Sequence, residues 1–207
     1  MFKKIFSFFF SVISRQPFIF IIGLFRGSII RSSYFDVRVL LKSKSVKTEV
    51  GSKVFHSVRV GKYTFIGVDS ILFPGTQLGE YSSVGNCCRI GTGDHCIKGI
   101  VLNTRLLPYG IGHGATFKIT CLEEDVWVGN SASIKGGVTI GRSSIIGMGS
   151  VVLKNVDRYC ISYGYPAINT KLRLSADNIE KIENTRWWIM EPKKAAQKIK
   201  NGVVVSE

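Results

Sequence analysis

Aliphatic residues recur along this chain in steps of six, many with glycine directly after: Val60-Gly61, Ile66-Gly67, Leu78-Gly79, Val84-Gly85 and Ile90-Gly91, then Val128-Gly129, Ile140-Gly141 and Ile146-Gly147. The fifth position of the unit is usually small: Thr64, Ser70, Thr76, Ser82 and Cys88 in the first block, Ala132, Ser144 and Ser150 in the second. Ordinary strands joined by glycine turns have no reason to keep a six-residue phase. A sustained short period marks a solenoid. The pattern predicts an all-β fold, a parallel β-helix with three short faces to a coil. Each aliphatic residue points inward at the centre of a face and each small one fits near a corner. Equivalent side chains then stack every eighteen residues, Val60 over Leu78, Ile66 over Val84, Leu72 over Ile90, Val128 over Ile146 and Ile134 over Val152. Glycine after the aliphatic residue is expected to supply the backbone freedom of a corner, and Pro74 to sit at a corner where no N–H is needed.

Two stretches break the period at the ends. From Ile5 to Phe25 the chain is apolar and aromatic, interrupted by Arg15-Gln16-Pro17 and flanked by Lys3, Lys4, Arg26 and Arg31. Two short runs do not make an uninterrupted span of roughly twenty apolar residues. Three readings remain: a segment lying on the membrane surface through residues 1–30, a helix capping the coil, or a signal peptide without a clean small-x-small site. After Tyr165-Pro166-Ala167 the period turns helical, with Ile179, Ile182, Trp187 and Ile189 among charged residues. The organisation expected is an apolar basic segment over 1–45, the β-helix over 46–170 with a loop over 97–121, and a helical extension over 171–207.

Composition adds three constraints. With 207 residues, 45% of them hydrophobic, the chain can bury one core without dividing into two domains. Nine Lys and Arg against Asp36 and Glu49 put +7 of the +14 net charge into the first fifty residues, beside the apolar stretch, as anionic head groups would favour. The basic residues follow no nucleic-acid-binding motif, so no nucleic-acid partner is expected. The five cysteines show neither CxxC nor zinc spacing, which reads as reduced thiols and no metal. Cys96, beside His95, is read as non-nucleophilic because neighbouring side chains on a strand point to opposite sides.

From about Ile97 to Cys121 the register is lost, and the stretch holds Arg105, Pro108, Tyr109, Gly110, Gly112, His113 and Gly114. This is the composition of a loop leaving the coil, and loops on rigid scaffolds are where sites are built. Gly93-Asp94-His95 stands at its mouth. Together with Gly61-Lys62-Tyr63-Thr64-Phe65-Ile66-Gly67, Glu80-Tyr81-Ser82-Ser83-Val84-Gly85, Asp125-Val126-Trp127-Val128-Gly129, Gly137-Val138-Thr139-Ile140-Gly141, Ile146-Gly147-Met148-Gly149-Ser150-Val151-Val152 and Gly164-Tyr165-Pro166-Ala167, that pair resembles the hexapeptide-repeat acetyltransferases. The likeness is to the xenobiotic and streptogramin branch, which includes capsule and lipopolysaccharide O-acetyltransferases. It covers about residues 58 to 198, through Ile179-Glu180-Lys181-Ile182 and Trp187-Trp188, and leaves out the amino-terminal fifty. It departs from the family at Cys96-Ile97-Lys98-Gly99, where a more polar or proline-containing stretch is common.

The resemblance implies a left-handed coil, against the usual right-handed crossover, and a homotrimer with sites between subunits. It also implies acetyl transfer from acetyl-CoA to a hydroxyl or amine, with His95 aligned to the catalytic histidine. The chemistry agrees, since a sugar hydroxyl is not ionised at neutral pH and imidazole is a base matched to that range. Asp94 or a backbone carbonyl would orient the ring. His113 is the alternative base, able to reach a neighbouring subunit from the loop. Pantetheine needs small residues that let it approach the backbone, which Gly129, Gly147, Gly149 and Ser150 offer. The likeness places Lys154, Ala167 and Lys171 toward the nucleotide end. Trp127 and Tyr109 are acceptor-side candidates. The activity expected is acetyl-CoA-dependent O-acetylation of a surface glycan or its lipid-linked precursor at the cytoplasmic face of the membrane. A sugar-amine or antibiotic acetyltransferase and a non-catalytic β-helix scaffold are the rivals.

Overall fold

The computed structural model describes residues 15–95, 101–109 and 114–202. Most strands are two residues long, an outer residue followed by a buried one, as six-residue units with turns between them require. They stack into sheets of eight, six and four strands that form about seven coils of a left-handed β-helix. Among the described residues the strands pair in parallel, apart from a closing antiparallel hairpin, Cys160–Gly164 with Ala167–Leu172, and an isolated antiparallel bridge between Asp94 and Thr116.

The eighteen-residue ladder is realised in the register. Val60 pairs with Leu78, Ile66 with Val84, Leu72 with Ile90, Val128 with Ile146 and Ile134 with Val152. Across the excursion Leu78 meets Leu122, Val84 meets Val128 and Ile90 meets Ile134, each 44 residues on, one coil of 18 plus an insertion of 26. These side chains are buried in one continuous core. Fully burying each contributes about 1.5–3 kcal/mol.

The small fifth positions do more than fit. Ser70 Oγ donates to Gly85 O at 2.6 Å and accepts from the Cys88 N–H at 2.9 Å. Ser82 Oγ likewise donates to Glu123 O and accepts from the Val126 N–H. Each hydroxyl satisfies corner groups of the next coil that are closed off from water.

Apart from Gly91 (φ 77°), the glycines after the aliphatic residues are not the corner conformers. Positive φ falls two residues later, at Tyr63 (60°), Tyr81 (61°), Ser131 (60°) and Ser143 (56°). What excludes a side chain at Gly79 or Gly129 is the next coil. A Cβ there would lie 2.6 Å from the Glu123 carbonyl carbon or the Met148 nitrogen. Close backbone stacking, not conformational freedom, selects glycine at these positions. Pro74 does occupy a turn.

The coil begins ahead of residue 46. Ile29–Ile30 pairs with Lys47–Thr48, and Tyr34–Phe35 with Lys53–Val54, because Ile30 and Phe35 extend the inward columns. Helix α1 (Arg15–Phe25) packs Ile19 on the core and leaves Phe18, Ile21, Leu24 and Phe25 exposed. Helix α2 (Val37–Lys42), capped by Asp36, buries Val39 and Leu40. Among the described residues no helix is long and apolar enough to cross a membrane.

Helices α3 (Ala176–Thr185) and α4 (Pro192–Gly202) fold back along the corner column of Tyr63, Tyr81, Asp125, Ser143 and Tyr159. Arg142 anchors them. Its Nε donates to Glu124 at 2.9 Å, its Nη1 to Glu183 at 2.7 and 2.8 Å, and its guanidinium lies 3.8 Å from the Trp188 ring centroid. Tyr159 adds a 2.7 Å hydrogen bond to Glu183. Tyr81 donates to Met190 O and meets Trp187 edge-on, while Tyr63 donates to Glu191. The tryptophan pair therefore packs on the side of the coil.

Candidate active site

His95 is exposed where the chain leaves the six-stranded sheet after Arg89–Thr92, before it enters the four-stranded sheet at Thr120–Leu122. The root of the excursion is closed by a bridge. Asp94 N donates to Thr116 O at 2.9 Å and Thr116 N to Asp94 O at 2.8 Å. Gly93 admits the Phe117 ring, because a Cβ there would stand 2.8 Å from its Cε1. The backbone carrying His95 is thereby tied to the coil on both sides of the loop.

The Asp94 carboxylate faces Lys135 Nζ at 3.5 Å, with both side chains about two-fifths exposed. Its ion-pair partner among the described residues is thus a lysine of the next coil. Lys135 was invisible to sequence reasoning. It stands 41 residues from Asp94, with no local pattern linking the two. Its signal is only the register, since Thr92 pairs with Lys135 across the insertion.

Other expected residues divide into groups. Tyr109, 78% exposed, ends a short 3₁₀ turn over Thr104–Tyr109 within the excursion. Trp127, 57% exposed, stands on the outer face of the eight-stranded sheet between Ser83 and Ile145. Gly149 has φ +66° and nothing within 4 Å of a would-be Cβ, so its backbone is open to approach. Gly129 and Gly147 are consumed by stacking, the latter against Tyr163. Ser150 is buried, and its Oγ accepts from the Gly164 N–H at 3.2 Å, so its side chain belongs to the coil and not to a groove. Lys154 and Lys171 are exposed and Ala167 is half-buried in the closing hairpin. His113 and Cys96 lie outside the described residues.

Within one chain these groups do not converge. His95 and Lys154 lie at the corner between the six- and four-stranded sheets, whereas Trp127 and Gly149 lie on and just after the eight-stranded one. An open groove on the four-stranded sheet, lined by Arg59, Gln77, Glu80, Cys121 and Glu123, touches neither set. Among the described residues no group of three or more His, Cys, Asp or Glu is arranged to hold a metal. Cys87, Cys88, Cys121 and Cys160 are free thiols, and burial pushes the last three above the ordinary thiol range, away from nucleophilic chemistry.

Comparison with known proteins agrees with this architecture. The bacterial transferase hexapeptide (six repeats) matches residues 122–154, and the hexapeptide repeat of succinyl-transferase matches residues 57–90. Hexapeptide repeats of transferase type thus lie on both sides of the excursion. It is 36% identical over 69 residues to a chloramphenicol acetyltransferase of Agrobacterium fabrum, covering 33% of each chain. It is 41% identical over 69 residues to a probable macrolide acetyltransferase of Lysinibacillus sphaericus, covering 33% of this chain and 38% of that one. The chain thus spans about one third of the length of these curated relatives. Among solved structures, an N-acyltransferase from Bacillus cereus, in complex with dTDP-4-amino-4,6-dideoxyglucose and coenzyme A, superposes with a TM-score of 0.63. It has 19% identity, over 79% of this chain and 87% of that one. A maltose O-acetyltransferase from Clostridium difficile gives a TM-score of 0.56 at 20% identity, over 80% and 89%. At these identities the two share the fold.

Proposed function

We propose that this protein is an acetyl-CoA-dependent O-acetyltransferase acting on a hydroxyl of a surface polysaccharide or its precursor. The observation that carries the reading is His95, exposed at the root of a pinned excursion on a transferase-type coil. Its imidazole takes the acceptor hydroxyl proton as that oxygen attacks the thioester carbonyl. The carbon–sulfur bond then breaks, and the proton passes to the departing coenzyme A thiolate. No covalent enzyme intermediate is needed. General-base assistance of this kind is worth about 10² to 10⁴ in rate.

The donor lies in a cleft shared with a second copy of the chain. The separation of His95 from the open backbone at Gly149 by one face of the coil supports a site completed by a neighbour, and a homotrimer supplies three such clefts. In that cleft Lys154 and Lys171 meet coenzyme A phosphates and Trp127 borders the acceptor. The exposed apolar side of α1, with Arg26 and Arg31 close behind it, favours peripheral attachment at the cytoplasmic membrane face. A second reading, transfer to a sugar amine, is favoured by the amino-sugar complex of the Bacillus cereus structural neighbour.

The test is acetyl-CoA turnover by purified protein together with the O-acetyl content of surface glycan from cells with and without it. His95→Ala is expected to abolish turnover and leave a folded oligomer. Equal O-acetyl content in the two glycans would remove the polysaccharide reading, and undiminished turnover in the variant would remove His95 from the chemistry.

A further inference from the structure

The outer face of the six-stranded sheet carries two columns that neither the core nor the proposed transfer step uses. The first is aromatic. Tyr34, Phe55, Phe73 and Phe117 form a ladder whose successive ring centroids are 5.4, 6.1 and 6.1 Å apart. Phe55 and Phe73 follow the inward Val54 and Leu72, the position that holds Gly61, Gly67, Gly79 and Gly85 on the other two faces. Bulk there is not a requirement of the coil. Tyr34 and Phe117 remain 41% and 43% exposed.

The second column carries two basic residues, Lys53 and Arg89. Lys53 stands on the same outer face, with Tyr34 and Ile71 as its register partners, and Arg89 follows beyond Ile71. Lys118 adjoins Phe117. Lys53 and Lys118 are exposed, and no carboxylate pairs with either among the described residues. The ladder runs from the first coil, beside the amino-terminal helix, to Phe117 against Gly93, two residues before His95.

We propose that this face is the track on which an acidic polysaccharide acceptor lies. Pyranose rings present apolar C–H faces that pack on aromatic rings, and the ladder spaces its rings about one sugar apart. Carboxylates along the chain meet Lys53 and Lys118. The track is continuous with the base it would serve, and its charge is complementary to the occupant. The inference rests on the glycan-acceptor reading above and adds where the glycan binds and its acidic class.

The experiment is an array of purified acidic and neutral bacterial polysaccharides probed with the full-length protein. Wild type is expected to bind acidic members in preference to neutral ones. Phe55→Ala/Phe73→Ala and, separately, the surface charge reversal Lys53→Glu are each expected to weaken that signal about tenfold. Absence of binding to every acidic polysaccharide, or wild-type binding by both variants, overturns the proposal. A changed oligomeric mass in the phenylalanine variant does so too, since the ladder is then covered by a second copy of the chain. Coenzyme A binding is measured on the same wild-type sample. If it is lost while glycan binding stays, the transferase reading fails and the track stands; the reverse result removes the track alone.

Discussion

Asp94 and Thr116 exchange two backbone hydrogen bonds across the root of the excursion, each N–H donating to the other's carbonyl. The loop is therefore pinned 22 residues apart at the point where His95 emerges. Thr116→Pro removes one of the two donors without touching the core. We expect kcat to fall about 10²-fold, the usual result of a small misplacement of a catalytic group, while the thermal midpoint moves by only about 2 °C. A large drop in midpoint with unchanged kcat would assign the bridge to folding alone.

Lys135 faces the Asp94 carboxylate, so Lys135→Met removes that ion pair beside the root of the excursion. Both side chains are about two-fifths exposed, and the thermal midpoint should move by less than about 2 °C. If Asp94 orients His95, kcat should change in this variant; an unchanged kcat would show that the pair does not act on the proposed base.

Glycines with different neighbours should respond differently to alanine. In Gly129→Ala the new methyl meets Met148 N at 2.6 Å and Ile146 O at 2.9 Å, so the coils must part, at a cost of about 1–3 kcal/mol. Gly149→Ala has open space and pays only for its left-handed φ, about 1–2 kcal/mol. Urea denaturation ranks the two, and the proposed role of Gly149 adds weaker coenzyme A binding to the milder variant only.

Acid should release the carboxy-terminal helices. For Glu183 burial pushes the carboxyl upward, but hydrogen bonds from Tyr159 and Arg142 outweigh it and hold the group below its usual range. For Glu123 the Arg158 hydrogen bond leads, against burial, to the same direction. A lowered folded value means the stabilisation is present above the ordinary value of 4.5 and is lost as pH falls below it. Asp125 runs oppositely, since burial raises it above 3.8 despite Ser143 and Arg173, so its ionisation opposes folding as pH rises through its own range. Glu183→Gln should flatten the acid limb of the thermal midpoint against pH, and Asp125→Asn should steepen it.

The exposed side of α1 repeats at three and four residues, Phe18, Ile21 and Phe25. Replacing all three with serine is expected to abolish co-sedimentation with phosphatidylglycerol vesicles while the coil keeps its circular dichroism. Equal sedimentation of variant and wild type would end the membrane assignment.

The coil was legible because its constraint is periodic: Leu72 must sit over Ile90 wherever an inward column exists, and six-residue spacing reports that directly. The exposed position of His95 at the exit from the coil was legible because it stands where that period stops. The role of glycine was misread, since sequence does not distinguish a residue needed for its φ from one needed for its missing Cβ; only the next coil at Gly129 decides. The start of the coil was set too late, because Ile29–Ile30 and Tyr34–Phe35 carry no glycine and sit beside an apolar helix that hides their alternation. The hydroxyl bonds of Ser82 and Ser150 were not legible, because smallness at the fifth position does not say which backbone group of the coil a hydroxyl meets.

The 26-residue excursion enters and leaves the solenoid with the inward rungs in step, Ile90 to Ile134 matching as Leu72 to Ile90 does, and the one slip beside it falls on the outer pair Thr92–Lys135. That segment can therefore change in length or composition while the inward columns stay in place, which uncouples the chemistry a loop carries from the thermal robustness of the scaffold beneath it.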